Sequence, residues 1–230
     1  MEARRPIRVE LLNYSRDGEE FWIDTNIVPL RDAHGRVTHF ATIGRDLSAT
    51  RQLQQELRLM ASTDPLTGLL NRRRFLEQAE KEFLRSRRYR HELAAVMLDI
   101  DHFKAINDTH GHFVGDQVLI ALSRAAENLL RDIDILCRWG GEEFVILMPE
   151  TPLAGAAILA ERLREVLARL AVDTTAGPLH FTISAGVAAR GECDAGLTDI
   201  LQRADTALYA AKDHGRNRIQ VQATEGSCAA

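Results

Sequence analysis

The chain has 230 residues, 45% of them hydrophobic and 27% charged, an ordinary globular composition with room for one large domain and a smaller piece. A net charge of −4 gives no overall basic field, which argues against nucleic acid or an anionic membrane as a partner. No apolar run approaches transmembrane length and the three cysteines share no metal-ligand spacing, so we expect no membrane insertion, reduced thiols and a cytoplasmic location.

Residues 7–46 show the pattern of three antiparallel strands. The predicted strands are Ile7–Tyr14, Glu20–Leu30 and Val37–Ile43, separated by turns at 16–18 and 32–35. This meander resembles the C-terminal half of a PAS sensor domain, including the turn at Asp17 and Gly18. The helical first half of that fold, which forms the ligand pocket, has no counterpart here. A plain structural cap is therefore favoured over a working sensor.

Residues 47–63 change to a helical period and predict a linker helix. Leu53, Leu57 and Met60 form one narrow apolar seam between polar residues. Two copies of this helix in a short parallel coiled coil would bury the seam, and the alternative is that it lies on its own domain. We favour the dimer.

Residues 64–222 alternate between strand-like and helical patterns. A helix begins from Asn71 after a break at Pro65 and Gly68. The later elements are the strand Leu93–Leu98, a helix through Ile106, a long helix with Val118 and Leu122 on one face, a hairpin around Gly140 and Gly141, a helix carrying Leu159 and Leu163, the strand Phe181–Val187, the helix Leu197–His214 ending at Gly215, and the strand Arg218–Val221. This order predicts an α/β fold, with helices packed on a sheet.

The hairpin combines glycines with acids. Gly140 and Gly141 predict a two-residue turn that needs φ > 0. Glu142 and Glu143 follow at once, before a strand that enters the core. Adjacent acids at the mouth of a buried strand cost folding energy unless a cation binds them, and the usual cation is a divalent metal. A solvated hairpin tip is the alternative for these residues alone.

A third acid, Asp99, directly follows a buried strand. A central strand and a neighbouring hairpin would bring Asp99 to the same sheet edge as the two glutamates. Three hard oxygen ligands suit Mg²⁺, which keeps positions for phosphate oxygens. The alternative for an isolated aspartate is an N-cap of the helix starting near His102. The nearby Asp101 and the acid pair favour metal.

Five separated motifs carry a family resemblance over roughly residues 62–222. They are DPLTGLLNRR at 64–73, DIDHFKAIND at 99–108, HFVGD at 112–116, RWGGEEF at 138–144, and ADTALYAAK at 204–212 with GRN at 215–217. Together they resemble GGDEF-domain diguanylate cyclases. The resemblance implies a nucleotidyl-cyclase-like palm fold, α/β with a central mixed sheet flanked by helices. The predicted organisation is then 1–46 partial PAS-like meander, 47–63 linker helix, 64–222 GGDEF domain and 223–230 disordered tail.

The resemblance also implies the site residues for metal and catalysis. Asp99, the carbonyl of Ile100 and Glu142 would hold two Mg²⁺ ions, or Mn²⁺, with Glu143 beside them. Glu142 would assist deprotonation of the attacking hydroxyl, and Lys104 would steady developing negative charge.

The substrate implied by the resemblance is GTP. Asn107 and Asp116 would read guanine, since a carboxylate accepts from its N–H edge and an amide donates to an acceptor. The remaining GTP-binding residues would be Phe103 and Lys104 through backbone N–H groups, His112, and Lys212 with Arg216, one helical turn apart, on the β- and γ-phosphates.

The reaction implied is condensation of two GTP molecules into cyclic di-GMP with loss of two pyrophosphates. Because one domain holds one GTP, two domains must face each other in a homodimer, which the linker helix would support. Two other hypotheses are a non-catalytic receptor for GTP or cyclic di-GMP and a palm-type cyclase or polymerase with other substrates. The matching acids argue against the receptor, and the guanine-reading pair argues against the other substrates.

A further pattern, Arg131 with Asp134, precedes the hairpin. Within this family an R-x-x-D at this offset resembles the inhibitory site that binds product dimers, where Arg offers a planar fork and Asp accepts from guanine. Arg162 would supply a second contact. The alternative, an ordinary surface ion pair, is less favoured at this offset.

Overall fold

The fold is described here from a computed structural model, which covers residues 6–18, 20–48, 62–174 and 177–222. The chain divides into two compact units, residues 1–61 and 62–230. The predicted linker seam at Leu53, Leu57 and Met60 and the predicted disordered tail at 223–230 lie outside the described residues. None of the described helices is long and apolar enough to cross a membrane.

The first unit is the predicted antiparallel meander. Its strands are β1 (Ile7–Tyr14), β2 (Glu20–Arg31) and β3 (Val37–Asp46), with β2 in the centre. Ile7 pairs with Ile27, and Asn26 pairs with Ile43. The turns between the strands contain Gly18 and Gly35, both at positive φ, so the glycines stand where the backbone needs them.

The second unit is a mixed sheet with helices on both faces. Its elements are β4 (Leu70–Asn71), α1 (Arg72–Tyr89), β5 (Leu93–Ile100), α2 (Phe103–His110), α3 (His112–Glu127), β6 (Ile135–Gly140), β7 (Glu143–Pro149), α4 (Leu153–Arg169), β8 (Ala171–Thr174), β9 (Gly177–His180), β10 (Ile183–Ala189), α5 (Leu197–Asp213) and β11 (Ile219–Gln222). The six-stranded sheet has the order β11-β10-β5-β7-β6-β4, and β8 and β9 form a separate two-stranded sheet.

Strand β5 lies in the interior of the sheet, between β10 and β7, and every one of its residues is buried. Val96 and Leu98 lie in the core that contains α3 and α4, whereas Ala95 and Met97 lie in the core that contains α1 and α5. A strand covered on both faces reads as one continuous apolar run, which is the pattern that predicted it. Its neighbours β7 and β10 both run antiparallel to it.

Several element boundaries differ from the sequence-based expectations. Strand β5 continues through Asp99 to Ile100, because β7 and β10 pair with it up to that point. The hairpin loop consists of Gly141 and Glu142, not Gly140 and Gly141: Gly140 still pairs with Glu143, and only Gly141 has positive φ, at 53°. The short hairpin of β8 and β9 and the two-residue β4 were not predicted, since two to four residues are too few to establish a period.

The two described cysteines differ in state. Cys137 is a buried free thiol, and burial raises its pKa to about 12. Cys193 is disulfide-bonded, so the expectation of reduced thiols is wrong for it.

Candidate active site

The predicted acids lie at one edge of the sheet. Asp99 and Glu143 are direct cross-strand partners between β5 and β7. The Ile100 N–H donates to the Glu142 carbonyl at 3.4 Å, which fixes the hairpin loop beside the end of β5. The backbones of the central strand and the hairpin therefore lie side by side at this edge, as expected from the sequence, whereas the expected convergence of three acids on one ion is not found among the described residues.

The Asp99 carboxylate is the least hydrated of these acids, with its side chain only 8% exposed. Its pKa is raised to about 6: burial has the largest effect, the Lys212 ammonium opposes it, and the charges of Glu142 and Glu143 contribute to the rise. Lys212 Nζ lies 2.8 Å from Asp99 Oδ2. The carboxylate thus carries an electrostatic cost that one partly exposed ammonium does not remove.

These residues fit a divalent cation in donor type. Asp99 and Glu142 offer hard oxygen ligands, and a dication would favour the ionised form of the buried carboxylate. Among the described residues, no three histidine, cysteine, aspartate or glutamate side chains converge as a ligand set, so the two glutamates do not close around Asp99 in this arrangement. Asp99 is not an N-cap, because helix α2 is preceded by His102 and has no side-chain cap.

Helix α2 begins directly after the strand that carries Asp99. His102, the residue before the helix, has a left-handed backbone with φ of 57°, and its side chain does not cap the helix. Unpaired N–H groups at a helix start attract anions. The Phe103 side chain is buried and anchors the start of the helix, whereas Lys104 is exposed to solvent.

The predicted guanine readers stand on consecutive helices. Asn107 belongs to α2 and is partly buried, while Asp116 belongs to the first turns of α3 and is exposed. Gly111, with φ of 84°, joins the helices, and its N–H donates to the Asn107 carbonyl at 2.9 Å. His112 is the exposed first residue of α3.

Gly115 is a residue whose role the sequence did not single out. A Cβ at this position would lie 2.0 Å from Asn107 Oδ1 and 3.2 Å from the ring of Phe103. Only glycine leaves room for the Asn107 amide at this point of α3. Its place inside the HFVGD motif was the one sequence signal for this role, but the contact with Asn107, on the preceding helix, could not be read from the motif.

The two predicted phosphate-clamping cations differ in backbone setting. Lys212 is in the last turn of α5, but the helix ends at Asp213, so Arg216 is not one helical turn further along it. Instead the Arg216 N–H donates to the Ala211 carbonyl and the Gly215 N–H to the Lys212 carbonyl, which is a Schellman motif with Gly215 at C′ as predicted. Arg216 itself is exposed, with φ of 58°.

Arg138 holds the acidic hairpin to the first residues of the second unit. Its guanidinium donates to the Gly141 carbonyl at 2.8 and 2.9 Å and to Asp64 Oδ1 at 3.1 Å. Burial opposes ionisation of Asp64, but hydrogen bonds from Thr67 and Arg138 hold its pKa below the usual value. The RWGGEEF and DPLTG motifs are therefore joined by a partly buried ion pair.

Arg131 and Asp134 form an ion pair, with Nη2 2.7 Å from Oδ1. Arg131 also donates to Thr151 Oγ1 at 2.6 Å. The Asp134 side chain is 1% exposed, whereas that of Arg131 is 51% exposed. Arg162 is exposed on α4, and none of the hydrogen bonds among the described residues joins it to this pair.

The arrangement defines an α/β domain that places hard carboxylates, the start of a helix and the Lys212 ammonium at one sheet edge. The family described as "Diguanylate cyclase, GGDEF domain" matches residues 61–218, and a PAS domain family matches residues 1–49. The chain belongs to the GGDEF-domain diguanylate cyclase family, as its motifs predicted.

Two curated relatives from this family are similar over the same region. Diguanylate cyclase DgcM of Escherichia coli K12 is 41% identical over 177 residues, which are 77% of this chain and 42% of DgcM. Diguanylate cyclase DgcP of Pseudomonas aeruginosa is 43% identical over 177 residues, 77% of this chain and 26% of DgcP. The chain thus spans less than half the length of these relatives.

Solved structures agree with the fold. The coiled coil and GGDEF domain of Caulobacter crescentus DgcB, in complex with c-di-GMP, has a TM-score of 0.72 at 29% identity, covering 76% of this chain and 93% of that one. The active GGEEF domain of a Vibrio cholerae diguanylate cyclase has a TM-score of 0.64 at 36% identity, covering 69% and 99%. The predicted α/β fold, with a mixed sheet flanked by helices, is confirmed.

Replacing Asp99 by Asn tests the electrostatic cost of the site. The folded pKa of about 6 lies above the ordinary value of 3.8, so the folded state keeps a proton that the unfolded state releases between these pH values. The wild type therefore loses stability as pH rises through this interval. In EDTA, we expect Asp99→Asn to be more stable than the wild type by roughly 1–3 kcal/mol at pH 7.5 and no more stable at pH 4.

Urea unfolding followed by circular dichroism at both pH values measures this difference. Asp205→Asn, at an exposed position on α5, is the control and should change stability little at either pH. A stability difference between Asp99→Asn and wild type that is the same at pH 4 and 7.5 would contradict the assignment.

Proposed function

We propose that this chain condenses two GTP molecules into cyclic di-GMP and two pyrophosphates. The observation that carries the proposal is the buried Asp99 carboxylate beside Glu142 and Glu143, at the sheet edge where Lys212 also lies. The names of the relatives and the c-di-GMP in the DgcB structures support the same activity.

The proposed cofactor is Mg²⁺, two ions per site, with Mn²⁺ as an alternative. Asp99, the Ile100 carbonyl and Glu142 would hold the ions, with Glu143 beside them. Bound there, the ions would neutralise phosphate charge and lower the pKa of the attacking hydroxyl. Lys212, now paired with Asp99, would turn to the phosphates with Arg216, since both cations gain a stronger anionic partner.

Guanine would be read by Asn107 and Asp116, on the two helices joined at Gly111. Asp116 would accept from the N1–H and N2–H₂ edge, and Asn107 would donate to an acceptor of the base. The open start of α2 at Phe103 and Lys104 would take the terminal phosphates, because unpaired N–H groups favour anions. His112 stands at the start of α3 as a further GTP contact.

In the reaction, the 3′-oxygen of each GTP attacks the α-phosphorus of the other. The bond from phosphorus to the bridging oxygen breaks and pyrophosphate leaves, while the hydroxyl proton passes to Glu142. Lys104, exposed at the start of α2, steadies the developing charge. Two such steps close the ring and account for all atoms of two GTP molecules.

Because one domain binds one GTP, catalysis requires two domains that face each other. The proposed partner is a second copy of the chain, brought near by the linker helix. Product dimers would inhibit through Arg131, whose exposed guanidinium is held in place by the buried Asp134. Arg162 is proposed as the second contact for the product.

Replacing Glu142 by Gln tests the chemistry. The side chain keeps its size but no longer accepts a proton or binds metal as an anion, so we expect product formation from GTP and Mg²⁺ to fall at least 100-fold. Chromatography of the reaction mixture measures cyclic di-GMP. Exposed Glu127→Gln is the matched control and should retain wild-type turnover. An active wild type with an equally active Glu142→Gln variant would sink the assigned role, and an inactive wild type would favour a receptor.

The rate law tests the requirement for two copies. With GTP saturating and protein diluted below its dimerisation constant, we expect the initial rate to rise with the square of protein concentration. A strictly linear rise over the range in which light scattering detects monomers would contradict catalysis between two domains.

Gly115→Ala tests the guanine site. The added methyl group would collide with the Asn107 amide, so we expect GMP affinity, measured by calorimetry, to fall about tenfold, the cost of one well-placed hydrogen bond. Ser123→Ala, in the same helix α3 but bonded only to its own backbone at Leu119, is the control and should bind GMP normally. Unchanged GMP affinity in Gly115→Ala would remove Asn107 from the guanine site.

A further inference from the structure

Asp101 is a buried carboxylate that the proposed chemistry does not use. It is 4% exposed and lies just after β5, two residues beyond Asp99. Its oxygens accept from Thr182 Oγ1 at 2.7 Å, Ser184 Oγ at 2.7 Å and the Asn217 N–H at 3.0 Å. Both oxygens are therefore occupied by protein donors, which distinguishes Asp101 from Asp99, whose partner is a single ammonium.

The Asn217 N–H belongs to an unusual stretch of backbone. Gly215, Arg216 and Asn217 have φ values of 103°, 58° and 45°, so three consecutive residues are left-handed. Non-glycine residues take this conformation singly and at a cost, and persist in it only where their surroundings hold them. The turn from α5 into β11 must therefore be anchored.

Two anchors hold this turn at Asn217. Its N–H is bound by Asp101, and its side-chain Oδ1 accepts from Arg164 Nη1 at 2.8 Å. Arg164 is itself fixed by Glu161 on α4, with hydrogen bonds of 2.6 and 2.9 Å. Arg216 directly precedes the anchored Asn217, and its side chain is exposed.

We infer that Asp101 is a positioning residue for substrate phosphate: it holds the left-handed turn that presents Arg216 next to Lys212. The inference rests on the proposed function, in which Arg216 contacts the β- and γ-phosphates. Asp101 does not touch substrate. It acts through the Asn217 backbone, and the Glu161–Arg164 pair supports the same turn from α4.

Loss of Asp101 should weaken the binding of a triphosphate and not that of a monophosphate. Loss of the Asp101 anchor lets the turn leave its left-handed conformation, so Arg216 no longer meets the terminal phosphates in one geometry. Guanine is contacted by Asn107 and Asp116 on other elements, and its recognition stays. The measurable quantity is therefore the ratio of the GMP Kd to the 3′-deoxy-GTP Kd, both determined by calorimetry with Mg²⁺. Neither ligand reacts, since 3′-deoxy-GTP lacks the nucleophile and GMP lacks a leaving group.

A double-mutant cycle carries the test. We expect Arg216→Ala to lower the ratio about tenfold, as for one charge-assisted hydrogen bond. Asp101→Ala should lower it about three- to tenfold, and the Asp101→Ala/Arg216→Ala double variant no further than Arg216→Ala alone, because both changes remove the same contact. Asp101→Asn should keep the ratio within about twofold, since its amide oxygen accepts from Asn217 and its NH₂ donates to Ser184.

The control and the second variant keep the outcomes distinct. Asp194→Ala removes another buried carboxylate, one that binds Arg203 and the Gly191 N–H, and should leave the ratio unchanged. If Asp101→Ala does not fold, Asn217→Gly tests the other anchor of the same turn: glycine keeps the positive φ and the N–H bound by Asp101 but loses the bond to Arg164, so the ratio should fall and couple to Arg216→Ala in the same way.

Failure of the inference and failure of the proposed function give different results. An unchanged ratio in Arg216→Ala removes the phosphate contact on which the inference rests. Two results would overturn the positioning role alone while Arg216→Ala has its expected effect. In one, Asp101→Ala adds its full loss in the double variant. In the other, Asp101→Ala weakens GMP binding as much as 3′-deoxy-GTP binding. A loss in Asp101→Asn as large as in Asp101→Ala overturns it too, because the hydrogen bonds would then not be what matters.

Discussion

The site depends on the burial of one carboxylate at the end of a strand that is buried on both faces. Asp99 follows Ala95 and Met97 on the face of β5 that packs against α5. The strand that forms the core therefore also holds the Asp99 carboxylate away from solvent. The desolvation of Asp99 exceeds the compensation from Lys212, as its raised pKa indicates. A second positive charge at this edge would relieve that imbalance, which is the physical reason for proposing a cation site here.

Asp99 and Asp101, two aspartates at the same sheet edge, have opposite hydrogen-bonding environments. Asp101 receives three hydrogen bonds from neutral donors and needs no further partner, whereas Asp99 has one ammonium and two acidic neighbours. A fully bonded carboxylate stabilises the backbone around it, and an under-compensated one remains available to ligands. The structural role and the proposed ligand-binding role thus fall on two aspartates that are two positions apart.

The sequence predicted most of this unit because its signals are local. A continuous apolar run marked β5, adjacent glycines marked the hairpin, and Gly215 marked the end of α5. The roles of Asp101 and Gly115 were not predictable, since each depends on an atom from a distant segment: the Asn217 N–H for one, the Asn107 amide across a helix joint for the other. The loop at Gly141 and Glu142 was displaced by one residue because strand pairing, not glycine preference, sets where a hairpin turns.

The reach of Lys212 depends on how closely α5 packs on the sheet. A Cβ at Gly186 of β10 would lie 2.0 Å from the Ala204 carbonyl and 2.2 Å from the Leu208 N, so helix and strand touch through backbone at this point. Since β10 is the direct neighbour of β5, this contact fixes the distance from α5 to the row that ends at Asp99. A larger residue would push the helix outward, and Lys212, one turn beyond Leu208, would move away from the carboxylate. The glycine in the strand therefore belongs to the electrostatics of the site as much as to its packing.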